Sequence, residues 1–165
     1  MAFILLAYCN ALAGGVGTWK SYLAYSDVQW VEEGSNKLYV LASNSLYTYN
    51  KNDQSIKTYD KVNGLSDTDI RFIAWNKTAR RLVILYSNNN IDLLDDRGNV
   101  TNVPDYYLKT TMADKTVNGI DMSGVYCYLS TGFGLVKLNV AKAEISDSYN
   151  LSFPVNYSYI KSGYI

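Results

Sequence analysis

Asp67 and Asp69, two positions apart in the stretch NGLSDTDI (63–70), are the first side chains in this sequence whose types and spacing could do chemistry. A carboxylate pair can bind a cation or divide acid and base roles. A calcium loop, however, draws oxygen ligands from alternating Asp and Asn through a longer run. An acid/base pair needs a neighbour that lifts one pKa by burial. Neither feature accompanies these two residues, so turn capping is the simpler reading. The chain contains no His, which removes the usual general base, the usual metal ligand and the usual activator of a Ser or Cys nucleophile. Cys9 and Cys127 make neither a disulfide framework nor a zinc site. GGVG (14–17) and TGFG (131–134) are glycine-rich, yet neither leads from a strand into a helix as phosphate cradles do. These absences point to a protein that is not an enzyme and uses no cofactor and no metal. A lyase or hydrolase built on paired carboxylates is disfavoured because the acidic residues sit in hairpin turns.

The totals narrow the classes further. Fifteen basic residues balance 15 acidic ones, so there is no electrostatic footprint for nucleic acid. Sixteen tyrosines within a 48% hydrophobic composition favour half-buried pleated surfaces, hence strands. At the N-terminus, MAFILLAYCNALA (1–13) reads as the apolar region and small-residue cleavage site of a secretory signal peptide whose basic start has been lost. It is too short to span a bilayer. Tyr8 is bulky where a lipoprotein signal wants a small residue before Cys9. The expectation is an exported protein.

Self-similarity locates the elements that hold these residues. Leu41, Leu85 and Leu129 recur at intervals of 44 residues, as do Tyr39, Val83 and Cys127. Within each unit the apolar pattern has period two, broken by turn formers such as EEGSN and NKNDQ. This predicts an all-β fold: a partial β-propeller of four-stranded antiparallel blades with a 44-residue repeat. The blades are placed at 28–60, 70–104 and 117–149, with no helix after the leader, and DDRGN (95–99) needs a positive φ at Gly98. NGLSDTDI then falls between the fourth strand of one blade and the first strand of the next.

Three blades do not close a ring, since propellers typically use about four to eight. Residues 155–165 match the start of a fourth blade, and 18–22 resemble an outermost strand, the closing strand of an absent last blade. Residues 14–165 are therefore expected to be the N-terminal part of a longer propeller. Junction loops and the loops between second and third strands share one face. Asp67, Asp69, Asn88, Asn89 and Phe133 are the candidate ligand- or partner-binding residues there.

NGLSDTDI following YDK, the strand pair YSNNNIDLL, YLSTGFGLVKLN, the opening GTWKSYLAY and the closing DSYNLS together resemble the N-terminal propeller of PorZ-type proteins. That family belongs to the type IX secretion system of Bacteroidetes. The resemblance implies a non-enzymatic scaffold or binding propeller, exported to the periplasm, outer membrane or cell surface. It also implies work with the sortase PorU and anionic lipopolysaccharide in attaching cargo to the surface. A looser likeness is to the periplasmic ligand-sensing propellers of hybrid two-component regulators. Those carry Trp-Ile-Gly in the second strand, where this chain has YVLAS, VILYS and YCYLST.

Overall fold

A computed structural model describes residues 25–110 and 113–160. Three four-stranded antiparallel sheets follow one another along the chain. The first contains β1 (Val28–Glu33), β2 (Lys37–Ala42), β3 (Ser45–Asn50) and β4 (Ile56–Tyr59). The second contains β5 (Ile70–Asn76), β6 (Arg81–Tyr86), β7 (Ile91–Asp95) and β8 (Val100–Asn102). A one-turn helix, α1 (Asp105–Leu108), precedes the third sheet of β9 (Val117–Ser123), β10 (Tyr126–Thr131), β11 (Gly134–Asn139) and β12 (Glu144–Asn150). Each sheet is a simple meander in which consecutive strands pair, and the first strands β1, β5 and β9 approach one another between sheets. This is the arrangement of propeller blades around an axis. The leader expected at 1–13 and the closing strand at 18–22 lie outside the described residues. So do 161–165 of the expected fourth unit.

Turn chemistry sets the hairpins. Ser43 and Asn44 both have positive φ (48° and 57°) in the two-residue link between β2 and β3, the turn whose twist matches a hairpin. Gly98 has φ +93° in the β7–β8 turn, as the sequence requires. At Gly134 (φ +145°) any Cβ would collide with the Tyr149 carbonyl.

The packing between sheets is apolar and two-sided. Leu82, Ile84 and Tyr86 on one face of β6 join Tyr39, Leu41 and Leu46 of the first sheet. Val83 and Leu85 on its opposite face join Cys127, Leu129, Val136 and Leu138 of the third. A strand buried on both faces is what a central blade must have.

Two expectations need correction. The first is the positional repeat. The first strand of every blade carries a bulge, at Val28/Trp30, Ile70/Phe72 and between Val117 and Gly119. Ala42, Tyr86 and Thr131 pair with Val28, Ile70 and Val117 immediately before those bulges. The spacing is therefore 44 residues and then 45. Leu41 and Leu85 are equivalent, opposite Trp30 and Phe72, but the third member is Ser130, opposite Gly119. Leu129 corresponds to Val40 and Ile84, and Cys127 to Leu38 and Leu82. All three leucines are nevertheless buried. The second correction is α1, where no helix was expected. Pro104 opens it, and the amides of Leu108 and Lys109 donate to the carbonyls of Pro104 and Asp105. A single turn is too short to show a helical period in sequence.

Candidate binding face

At one end of the first two blades, the β2–β3 turn, the 60–69 junction and the β6–β7 turn are stitched together through side chains. Asn44 donates from Nδ2 to Asp69 Oδ1 at 2.6 Å, and its carbonyl accepts the Ile70 amide at 3.0 Å. Asp69 stands at φ 59°, and its carbonyl accepts the Ser87 amide at 3.0 Å. Asp67 takes a hydrogen bond from Asn88 Nδ2, a second from the Thr68 amide at 2.9 Å, and lies 3.8 Å from Lys61 Nζ. Partial burial works against its charge, but the bonds from Asn88 and Thr68 and the Lys61 cation prevail, holding the carboxyl below the usual aspartate range. Asn89 fills the left-handed position of its turn (φ 69°), its amide donating to the Tyr86 carbonyl at 2.9 Å.

Beneath this surface lies a buried carboxylate, Asp92 of β7, with no exposed area. Its Oδ2 accepts from the Tyr86 hydroxyl at 2.6 Å and the Ser66 amide at 2.8 Å. Its Oδ1 accepts from Asn102 Nδ2 at 2.9 Å. Burial, followed by the bond to Asp92, pushes the Tyr86 hydroxyl well above the usual tyrosine range. One anion thus ties the junction, the central strand and the outermost strand together.

Of the five residues expected on this face, Asp67, Asp69, Asn88 and Asn89 share this cluster of turns. Phe133 belongs elsewhere. It leans on the core between the second and third blades and lines a separate cavity of about 280 Å³ with Tyr106, Val136 and Ile145. Lys115 at that cavity donates to the carbonyls of Tyr107 and Lys109 at 3.0 and 2.9 Å. Burial and the charge of Lys109 hold its pKa below the ordinary lysine value. Two residues of note escaped the sequence reading. Asp92 could have been found as a lone charge within the apolar run NIDLL. Arg71, adjoining the junction, carried no sequence signal. Among the described residues, no group of three or more His, Cys, Asp or Glu is placed to hold a metal. No helix among them is long and apolar enough to cross a membrane.

Comparison with known proteins bears on this arrangement. The family model of the N-terminal β-propeller domain of PorZ, from the type IX secretion system, matches residues 38–165. The solved structure of PorZ from Porphyromonas gingivalis, a bacterial surface component of that system, is 38% identical with a TM-score of 0.75. The match covers 81% of this chain and 18% of that one, so this chain spans under a fifth of that protein's length. The extracellular domain of BT4673 from B. thetaiotaomicron matches with a TM-score of 0.57 at 18% identity, over 78% of this chain and 18% of that one. AztD from Citrobacter koseri matches with a TM-score of 0.57 at 15% identity, over 80% and 35%. These last two carry the fold alone. A comparison with curated proteins gives no match.

Proposed function

The chain belongs to the family of PorZ N-terminal β-propeller domains, and on that premise we propose that it serves as a scaffold and binding propeller of a bacterial type IX secretion system. The observation that carries this reading is the family match over 38–165 together with 38% identity to PorZ, described as an essential surface component of that system. Its place of work is the cell surface or the periplasmic side of the outer membrane. Its role is to hold partners rather than to transform a substrate. Asp67 and Asp69 fit this reading, since their carboxylates are spent on Asn88 and Asn44 within the turns. A rigid loop platform presents a partner surface without catalysis. The partners we propose are the sortase PorU and anionic lipopolysaccharide, so that cargo becomes anchored to the surface. Asp67, Asp69, Asn88 and Asn89 mark the proposed contact face.

Photo-crosslinking tests the proposal. A photoreactive residue in place of Asn88, and another in place of Asn89, is activated in living cells and the adduct identified. A covalent adduct with the sortase, absent from a control position on exposed Lys57, is the expected result. Adducts with no secretion-system component from either position overturn the proposed contact face.

A further inference from the structure

The three first-strand bulges put Gln29, Arg71 and Asn118 at equivalent positions. Two of them are committed to the fold. Gln29 donates from Nε2 to Asn44 Oδ1 at 2.8 Å and accepts the Asn44 amide at 3.0 Å. Asn118 donates from Nδ2 to the Val155 carbonyl at 3.0 Å. Arg71 is different: it is exposed, and among the described residues its guanidinium makes no hydrogen bond and no ion pair. Its contact is with the ring of Phe72, whose centroid lies 5.4 Å from the guanidinium carbon. A bulge re-aims a side chain away from the ladder, and here the re-aimed group is a cation whose donors meet no partner among the described residues.

Arg71 lines an open cavity of about 420 Å³ between the first two blades, shared with Trp30, Leu41, Ile70 and Phe72. Trp30 is 55% exposed, yet its indole is held. Nε1 donates to Glu32 Oε1 at 2.7 Å, and Glu32 Oε2 in turn accepts the Trp75 amide of the next blade at 3.1 Å. A fixed, half-bare indole beside an uncommitted guanidinium is a pre-organised pair of anchors, one apolar and one cationic. The remaining amides of the cavity, Gln29 and Asn44, are bonded to each other and to Asp69. A sugar, which needs several free donors and acceptors for its hydroxyls, finds few here. A ligand with one anionic group beside an apolar body finds what it needs.

We propose that this cavity binds an acidic peptide segment, its carboxylate on Arg71 and a neighbouring apolar side chain on the Trp30 indole. Guanidinium and carboxylate match as a two-bond fork, and the indole supplies area for a flat or branched apolar group. The proposal rests on the geometry of the first two blades and stands whether or not the secretion role does. Full-length protein is titrated with acetyl-Ala-Phe-Glu-Ala-amide and with its Gln counterpart, following the Trp30 indole N–H by two-dimensional NMR. The expected result is a saturable shift with the Glu peptide at a Kd of about 1 mM or tighter. Binding weakens at least about tenfold for the Gln peptide and for Arg71→Gln, a loss on the scale of one bidentate charged contact. An unchanged thermal transition in Arg71→Gln shows that the fold is intact. Absence of binding, equal affinity for the two peptides, or undiminished affinity in Arg71→Gln overturns the proposal. So does an oligogalacturonate that occupies the Trp30 site while the peptide does not, which would make the ligand an acidic glycan.

Discussion

Replacing Asp92 by Ala removes the carboxylate that joins the junction to two strands of the second blade, and its cost follows from the surroundings. The carboxylate has no exposed area, and it accepts from Tyr86, Ser66 and Asn102 at 2.6, 2.8 and 2.9 Å. A hydrogen bond to a charged group contributes roughly 1.5–3 kcal/mol. The three share one anion's desolvation cost, so they do not add. Deleting the carboxylate leaves the three donors without their acceptor, at about 1–3 kcal/mol for each that stays unsatisfied, and a loss of about 3–5 kcal/mol is expected for Asp92→Ala in urea unfolding. At roughly 2–4 °C per kcal/mol for a chain of this size, the transition falls by about 6–20 °C. Asp92→Asn keeps one acceptor but turns an N–H₂ toward existing donors, and about 1–3 kcal/mol is expected. Tyr86→Phe removes one donor, so a double-mutant cycle with Asp92→Asn should show coupling of about 0.5–3 kcal/mol. Hydrogen exchange at the Ser66 amide should accelerate with Asp92→Ala even under conditions where the fold persists. A loss below about 1 kcal/mol, or zero coupling with Tyr86→Phe, refutes the view that this anion organises the blade.

Leu85→Ala and Leu129→Ala should each cost about 2–5 kcal/mol. Because both line the core between the second and third blades, their double mutant should be non-additive. Leu41 belongs to the other core, so Leu41→Ala with Leu129→Ala should add within about 0.5 kcal/mol; denaturant titration of the set decides it. Burial first, and nearby Asp96, Asp92 and Asp114 next, raise the hydroxyl pKa values of Tyr39, Tyr86 and Tyr106. Their contribution to stability is complete below the free tyrosine pKa of about 10 and is lost as pH climbs above it. Alkaline unfolding tracked by tyrosinate absorbance should therefore be cooperative. Asp67, held low, acts in the opposite sense: its contribution is present above the free aspartate value of about 3.9 and is lost as pH falls through its own lower pKa. Acid titration of Asp67→Asn, compared with the parent chain, should show a smaller drop over that window. Cys127 is fully buried with its thiol pushed far above the thiolate range, so in a Cys9→Ser background a thiol reagent should label it only on unfolding.

The strands were legible because alternation survives in places such as β3, where buried Leu46 and Thr48 are interleaved with part-exposed Ser45, Tyr47 and Tyr49. Register was not legible, for a specific reason. Val40 and Leu41, like Ile84 and Leu85, are buried side by side on opposite faces of a central strand. Hydrophobicity there says nothing about which face a residue takes, and Leu129 could match either neighbour. The β6–β7 turn, with Asn89 left-handed, and the bulges in β1, β5 and β9 settle it through hydrogen bonds that leave no trace in composition. The polar turns carrying Asp67, Asp69, Asn88 and Asn89 were visible as turn formers. Phe133 was misgrouped because its ring packs on the core between the second and third blades instead of joining the polar turns. Arg71 becomes notable only once Gln29 and Asn118 are seen to be spent.

The central claim, that this propeller is a working part of a type IX secretion system, is tested most directly in the bacterium that carries the gene. An in-frame deletion of residues 25–160, complemented by the intact gene, is compared with the parent strain by labelling and quantifying surface-exposed cargo. Loss of surface-attached cargo in the deletion strain, and its return on complementation, is the expected result. Cargo reaching the surface at parental levels without the propeller would mean that the propeller has no working part in that secretion.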